Sequence, residues 1–394
     1  MKKLAILSTH PIQYNAPLFA LLAKSSQLQI MVFYTWGKAV LNNKYDPGFK
    51  KVIEWDIPLL DGYPSSFVEN VSSDPGSHHY GGIDNPDLIQ QIEAFQADAL
   101  LVFGWNLKSH LKCLRYFHKR ITVLFCGDST LIDDQDHFIK KILRQLVLRY
   151  VYHHVDIGLY TGAASKDYFL HYGFKETELF MTPHAIDNKR FGICTPEMEA
   201  NIAEFKYQLG IQSGELTVLF AGKLEPKKNP TAIIEVAKLM QHHPVHFIVV
   251  GNGEQEQSLK SAASSFSNIH FVDFQNQQKM PEVYRWADVF ILPSRGPGET
   301  WGLALNEAMA TGRVVIASNK CGGARDLINP DENGWIVAPD DYQAVANKLT
   351  LLIQEPALLK RMQQASLTQV QKFSFEAMAE AIHQALQIPA HAIH

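Results

Sequence analysis

Glu299 and Glu307 stand seven intervening residues apart in the stretch Pro293–Gly312, PSRGPGETWGLALNEAMATG. An apolar run, Val289–Leu292, leads into it and reads as a buried strand. A Gly/Pro-rich loop carrying Glu299 follows, then an apolar-periodic helix over about Gly302–Ala310. Helical side chains tilt toward the N-terminus, so Glu307 leans back toward that loop. Both carboxylates then flank a helix start whose N–H groups, at Gly302 and Leu303, form an anion site. Such a site suits a ligand with phosphate in its middle and hydroxyls on either side, the layout of a nucleotide sugar. Taken alone, the pair favours a dipole-complementing Glu followed by one on a solvated face.

A second group of charges follows another apolar run. Thr217–Phe220 reads as a strand that passes into AGKLEPKKNP. Lys223 and Lys228 bracket the loop beyond it, placed either to neutralise a pyrophosphate or simply to be solvated. Lys227 is the expected spectator. Asn229 is expected to cap the next helix, with Pro230 at its first position.

The elements that must position these groups alternate along the whole chain. Strands are expected in the first half at Leu4–Ser8, Gln29–Tyr34, Ala99–Phe103, Thr122–Cys126, Ile157–Tyr160 and Leu179–Met181. Helices are expected there at 17–23, 86–95, 108–118, 138–152 and 165–172. The rhythm restarts after about Phe191 and closes with a helix over 374–386. Such alternation implies parallel sheets with helices on both faces, and two doubly wound Rossmann-like domains facing across a cleft. The expected division is 1–190 plus 374–394 for the first domain and 191–373 for the second. The Gly-, Pro- and Ser-rich region 38–82 reads as an irregular functional excursion.

Composition bounds the function. At 394 residues, 46% apolar and net charge −4, the chain fits two domains and gives no sign of a nucleic-acid partner. The four cysteines are scattered, without C-x-x-C, and read as reduced buried thiols of a cytoplasmic protein. The apolar start Leu4–Leu7 is too short for a signal peptide, and no run approaches the ~18 residues that cross a bilayer. Adjacent histidine pairs at 78–79, 153–154 and 242–243 lack the i, i+4 spacing of a helical metal site, so no metal is expected.

Several motifs occur in an order that resembles a retaining glycosyltransferase of family 4 (glycosyl transferases group 1). They are G-K-L-x-x-x-K-N from Gly222, G-N-G-E at Gly251–Glu254, E-T-W-G-L-A-L-N-E-A-M-A-T-G from Glu299, V-I-A-S with G-G-A-R-D-L, and N-G-W-I-V at Asn333–Val337. The resemblance is strong over about 216–338 and looser before it. It implies the GT-B fold, with the C-terminal helix crossing back to the first domain. It implies that Glu299 binds hydroxyls of the donor sugar and Glu307 the ribose of the nucleotide. Lys223 and Lys228 would neutralise the diphosphate leaving group, helped by backbone amides near Gly302 and Leu303, with Gly222 and Gly251 in the same donor site. No metal cofactor is implied, because the lysines and the helix end do a cation's work. The chain departs from the family pattern in having Lys223 where Arg is frequent, and T-H-P-I-Q-Y, Thr9–Tyr14, where a Gly-Gly loop is common.

His10 follows the first strand and is expected near the transferring sugar carbon, or else to pin the Pro11 turn. Gln13, Trp105 and Asp128 are candidate acceptor contacts. Pro183–Asp187, P-H-A-I-D, is expected as hinge structure. The 138–152 helix carries Lys140, Lys141, Arg144 and Arg149 and no acid, so it either lies on an anionic membrane or packs in the core with a basic outer face. These expectations together describe transfer of a sugar from a nucleotide diphosphate sugar to a glycan or lipid-linked acceptor, in bacterial surface polysaccharide or glycoconjugate synthesis, by a cytoplasmic chain peripheral to the inner membrane face. A nucleotide-sugar 2-epimerase-like isomerase and a non-catalytic nucleotide-sugar-binding subunit are the competing readings.

Overall fold

The computed structural model describes residues 1–38, 44–46, 51–53, 57–133 and 137–387. The chain divides into two compact units. One holds the described residues of Met1–Asn43, Pro58–His184 and Phe375–His394; the other holds those of Lys44–Ile57 and Ala185–Ser374.

In chain order the first strands are β1 (Lys2–Ser8), β2 (Leu28–Tyr34), β3 (Lys44–Asp46), β4 (Lys51–Ile53) and β5 (Ser65–Phe67). They are followed by β6 (Ala99–Phe103), β7 (Thr122–Gly127), β8 (Ile157–Tyr160) and β9 (Leu179–Met181). The first unit's sheet runs β5-β2-β1-β6-β7-β8-β9, with every pairing parallel. Leu4, Ala5, Ile6 and Leu7 are all fully buried, as a central strand covered on both faces requires. The chain's last described helix, Phe375–Gln387, belongs to this unit and packs on the Ala16–Ala23 helix and on β9. The Lys2 ammonium donates to the Leu386 carbonyl and ties that helix to the first residue of β1.

The second unit has β10 (Leu216–Ala221), β11 (Val245–Val250), β12 (Ile269–Val272), β13 (Val289–Leu292), β14 (Val314–Ser318) and β15 (Gly334–Val337). They form a parallel sheet in the order β12-β11-β10-β13-β14-β15. Every residue of β10 is buried. The order doubles back between β10 and β13, which is where a doubly wound sheet opens a crevice beyond its carboxyl ends. In the first unit the same reversal falls between β1 and β6.

The structure departs from the sequence reading in five places. The excursion over 38–82, part of which lies outside the described residues, contains β5, which extends the first sheet at its edge; three residues reading SSF carry too little apolar signal to announce a strand. A 13-residue helix, Pro196–Gln208, begins with Thr195 accepting from the Met198 N–H and Pro196 behind it, yet buries none of its residues, so no apolar stripe marks it. Asn229 does not cap a helix; it adopts φ +54° at the end of a short 3-10 turn, Pro226–Lys228. Of the cysteines, Cys113, Cys126 and Cys321 are buried but Cys194 is exposed. Finally, the Phe138–Tyr152 helix is not a core helix with a merely basic outer face, because most of its apolar residues point to solvent. No described helix is long and apolar enough to cross a membrane.

Candidate active site

The loops beyond β10, β11 and β13 build one cluster at the second unit's switch point. The loop after β10 carries Lys223 and Lys228, and the loop after β13 carries Glu299. Nζ of Lys228 donates to Oε2 of Glu299 at 2.5 Å, and the Ser294 hydroxyl donates to the same oxygen at 2.9 Å. Glu299 is 7% exposed and Lys228 23%, so the carboxylate sits under the ammonium, which faces water. A charge-assisted bond of this length is among the strong ones, and it fixes the lysine's reach.

Main chain holds the two loops in register. Lys227 ties the loops together: its ammonium donates to the Gly298 carbonyl at 2.8 Å, and its carbonyl accepts from the Arg295 N–H at 2.9 Å. Asn229 is fully buried, and its amide donates to the carbonyls of Pro293, at 3.1 Å, and Pro339, at 3.2 Å. Its side-chain oxygen accepts from the Thr231 hydroxyl at 2.9 Å. One residue after Lys228, this side chain therefore joins the ends of three strand loops. A left-handed Asn is tolerated there because its short amide finds partners where another side chain would find none.

The two glycines of G-N-G have a steric cause. Gly251 has φ +136°, and a Cβ on it would lie 2.0 Å from the Gly222 carbonyl oxygen. A Cβ on Gly253 would lie 2.5 Å from the Leu224 carbonyl oxygen. The β11 loop thus lies directly on the backbone of the lysine loop, with Gly222 donating to Val250 and Leu224 to Asn252, each at 3.0 Å. Asn252 is 6% exposed and reaches Glu256 and Asp273, so it also ties in the loop after β12.

The helix Leu303–Ala310 begins at Gly302, whose φ of +90° only glycine adopts readily. A Cβ there would meet the Cys321 sulfur at 2.5 Å. The Trp301 indole donates to Asn306 at 2.8 Å, inside the same helix start. Gly322 donates to the Glu299 carbonyl and Gly323 to the Trp301 carbonyl, each at 2.9 Å, so the G-G-A-R-D turn clamps the Glu299 loop from behind. Glu307, one turn into the helix, is 4% exposed and accepts from the Tyr284 hydroxyl at 2.7 Å. Burial of a carboxylate is tolerated only with such partners. The first N–H groups of this helix lack intrahelical acceptors, which gives its start a partial positive charge.

The structure therefore gathers Gly222, Lys228, Gly251, Glu299, Gly302, Leu303 and Glu307 in one unit, with Lys223 half-buried on the same β10 loop. The sequence reading did not single out Tyr284, Ser294, Asn252 or Asn306 as partners. Ser294 and Asn306 lie within the motif already quoted, and their polarity among buried neighbours was the available signal. Tyr284 comes from another helix and carried none.

The remaining candidates lie in the first unit. His10 is half-buried two residues past the Ser8 end of β1; its Nδ1 is 2.8 Å from the Thr9 hydroxyl and its ring meets Trp36 edge-on. Gln13 is half-buried in the following turn. Trp105 lies past the end of β6 and packs partly against the first core. Beneath these loops His110 is fully buried, donating from Nδ1 to the Gly104 carbonyl at 2.7 Å and accepting at Nε2 from Thr35 at 2.8 Å. Burial pushes its pKa down to about 4, outweighing the backbone acceptor. Asp128 lies past β7, 3.6 Å from His184 of the P-H-A-I-D segment. Asp128 is thus placed beside the segment read as hinge, past the end of β7, the strand next to β6.

A family model described as glycosyl transferases group 1 matches residues 201–369. The phosphatidyl-myo-inositol mannosyltransferase of Mycobacterium leprae is 30% identical over 169 residues, 42% of this chain and 45% of that protein. The D-inositol 3-phosphate glycosyltransferase of Rhodococcus jostii is 24% identical over 366 residues, 83% of this chain and 76% of that protein. The match thus spans about half the length of the first two curated relatives. HepE of Anabaena, crystallised in complex with UDP, superposes with a TM-score of 0.72 at 18% identity, covering 98% of this chain and 100% of its own. WaaG, a glycosyltransferase involved in lipopolysaccharide biosynthesis, superposes with a TM-score of 0.63 at 15% identity, covering 99% of each chain. Residues 201–369, which carry the Lys228–Glu299 cluster, match the glycosyl transferases group 1 family, and the fold is GT-B.

Proposed function

We propose that the chain is a retaining glycosyltransferase that moves a sugar from a nucleotide diphosphate sugar to a glycan or lipid-linked acceptor. The observation that carries this reading is the Lys228–Glu299 pair at the β10–β13 reversal, on the same loop as the start of the Leu303–Ala310 helix. Breaking the sugar–phosphate bond leaves negative charge on the diphosphate and positive character on the sugar carbon. Lys228, Lys223 and the helix start answer the first; preorganised charge of this kind is usually the largest catalytic contribution. Both Glu299 bonds fall on Oε2, so Oε1 serves a donor hydroxyl. Glu307, oriented by Tyr284, takes the ribose hydroxyls. With both carboxylates so engaged, the reading has the acceptor attack the face from which the diphosphate leaves, and the departing phosphate takes its proton.

His10, Gln13, Trp105 and Asp128 are the acceptor-side residues of this reading. The transfer is metal-independent in it, since the ammonium groups and the helix start carry the positive charge, so a chelator leaves turnover unchanged. The setting is bacterial surface glycan synthesis by a cytoplasmic chain that touches the inner membrane face through residues 138–152. Calorimetric titration with nucleoside diphosphates tests the site: binding that Lys228→Ala abolishes supports it, and binding indifferent to that change refutes it. Incubation with donor alone separates transfer from epimerisation, which needs no acceptor.

A further inference from the structure

Parallel sheets gather ligands at their carboxyl rim, and β6, β7 and β8 are consecutive neighbours in the first sheet. The segments that follow these three strands line a recess of about 350 Å³. Trp105, two residues past β6, supplies one wall, and Tyr168 of the helix Ala163–His171 another. The third is one side of the helix Phe138–Tyr152: Lys140, Leu143, Arg144, Val147 and Leu148. The volume is at the lower end of the range for small-molecule sites, about 300–1,000 Å³, and suits a group the size of a monosaccharide.

Arg144 is the unexpected member of this lining. At about 100° per residue it falls between Leu148 and Val151, on the stripe that the helix buries. An apolar residue there would lengthen that stripe by a turn; instead a guanidinium lies half-buried at the recess, with Lys140 one turn before it. None of the described lining residues is acidic. Trp105 and Tyr168 both pack against the first core, and the Tyr168 ring lies 4.6 Å from that of Tyr172, so both rings are held in place. Flat aromatic walls suit the apolar face of a sugar ring. A planar guanidinium grips two oxygens of a carboxylate or phosphate at once, and an ammonium adds a point charge. A neutral sugar uses the rings and gains nothing from either charge.

We infer that this recess is a subsite for an acidic sugar of the acceptor: its carboxylate or phosphate lies against Arg144 and Lys140, and its ring against Trp105 and Tyr168. The inference narrows the acceptor to an anionic glycan or glycolipid, and it rests on the transferase reading for its role. Sugar binding at the recess and diphosphate binding at the Lys228 loop are separate measurements, so either reading fails without the other.

The test is saturation-transfer NMR on the intact chain with methyl glucuronide, glucose 6-phosphate and methyl glucoside. At least one of the two acids binds about tenfold or more tightly than the neutral glucoside, and the tighter acid assigns the charge to a carboxylated or a phosphorylated acceptor. Arg144→Leu, which continues the buried apolar stripe, removes that advantage; Trp105→Ala weakens the glucoside as well as the acids. Circular dichroism and nucleoside-diphosphate affinity stay at native values in both variants and show that the fold persists. Equal binding of acidic and neutral sugars, no binding of any of the three, or an advantage that survives Arg144→Leu overturns the inference. Displacement of the acids by a nucleoside diphosphate, or their loss in Lys228→Ala, also overturns it and puts them in the donor site. Failure of the native chain to bind nucleoside diphosphates sinks the transferase reading instead and leaves the sugar measurements standing.

Discussion

Replacing Lys228 by Met and Glu299 by Gln, singly and together, separates what holds the fold from what holds the ligand. Lys228→Met leaves a carboxylate that is 7% exposed, with the Ser294 hydroxyl at 2.9 Å as its remaining side-chain donor among the described residues. Breaking a buried pair from one side costs about 3–5 kcal/mol. The lysine's 23% exposure shows that this pair is only partly out of water, which brings the cost down to roughly 2 kcal/mol. Glu299→Gln keeps the shape and strands the better-solvated partner, at about 1 kcal/mol. The double substitution removes both charges, so its stability returns to within about 1 kcal/mol of native. Turnover behaves otherwise. Each single change lowers it about 10²–10³-fold, because each removes charge or a hydroxyl acceptor aimed at the reacting donor. The double change stays at least as low as the worse single, and falls short of the product of the two because the residues share a bond. Denaturant unfolding and sugar transfer from a radiolabelled donor give the two readouts. If the double variant regains native turnover along with its stability, the pair is a structural bridge and the catalytic reasoning is wrong.

Gly251→Ala forces a Cβ to within 2.0 Å of the Gly222 carbonyl oxygen at φ +136°, so the variant loses at least ~2 kcal/mol in denaturant unfolding and binds nucleoside diphosphate more weakly. Tyr284→Phe removes the 2.7 Å donor to Glu307; nucleoside-diphosphate affinity falls about tenfold by calorimetry, while a deoxyribose analogue, lacking the 2′-hydroxyl, loses less. His110 titrates at about 4 when folded and near 6.5 when unfolded, so the unfolded chain binds more protons between those values. Stability contributed by the neutral ring is therefore complete above about pH 6.5 and declines by up to roughly 3 kcal/mol as pH falls through that window, a slope that His110→Gln removes in unfolding measured across pH 4–7.

Strands were legible in the sequence where both faces are buried. β13 reads VFIL and every residue of it is buried, so an apolar run bounded by Asp288 and Pro293 located it without ambiguity. Edge and surface elements were not: β5 has three half-buried residues, and the Pro196–Gln208 helix has capping chemistry but no buried face. In the site, Lys223, Lys228 and Glu299 could be placed because each follows a strand end, and strand ends gather at one rim of a parallel sheet. Asn229 was misread because Asn before Pro suggests a helix start; its real partners, Pro293 and Pro339, lie 64 and 110 residues away, beyond any local pattern. Tyr284 was invisible for the same reason, being 23 residues before the Glu307 it orients. The outward apolar face of 138–152 shares its composition with a core helix; only the packing tells which way it points.

The close approach of Gly251 to Gly222 has an evolutionary corollary. Where two main chains touch with no room for a methyl group, drift in amino-acid identity has nothing to act on, and the floor beneath the lysines becomes a fixture that descendants inherit unaltered. Diversification toward new sugars must then proceed through side chains around that floor, such as those near Glu299. A library that randomises the two glycines should return mostly dead clones, whereas one that spares them is free to explore substrate choice.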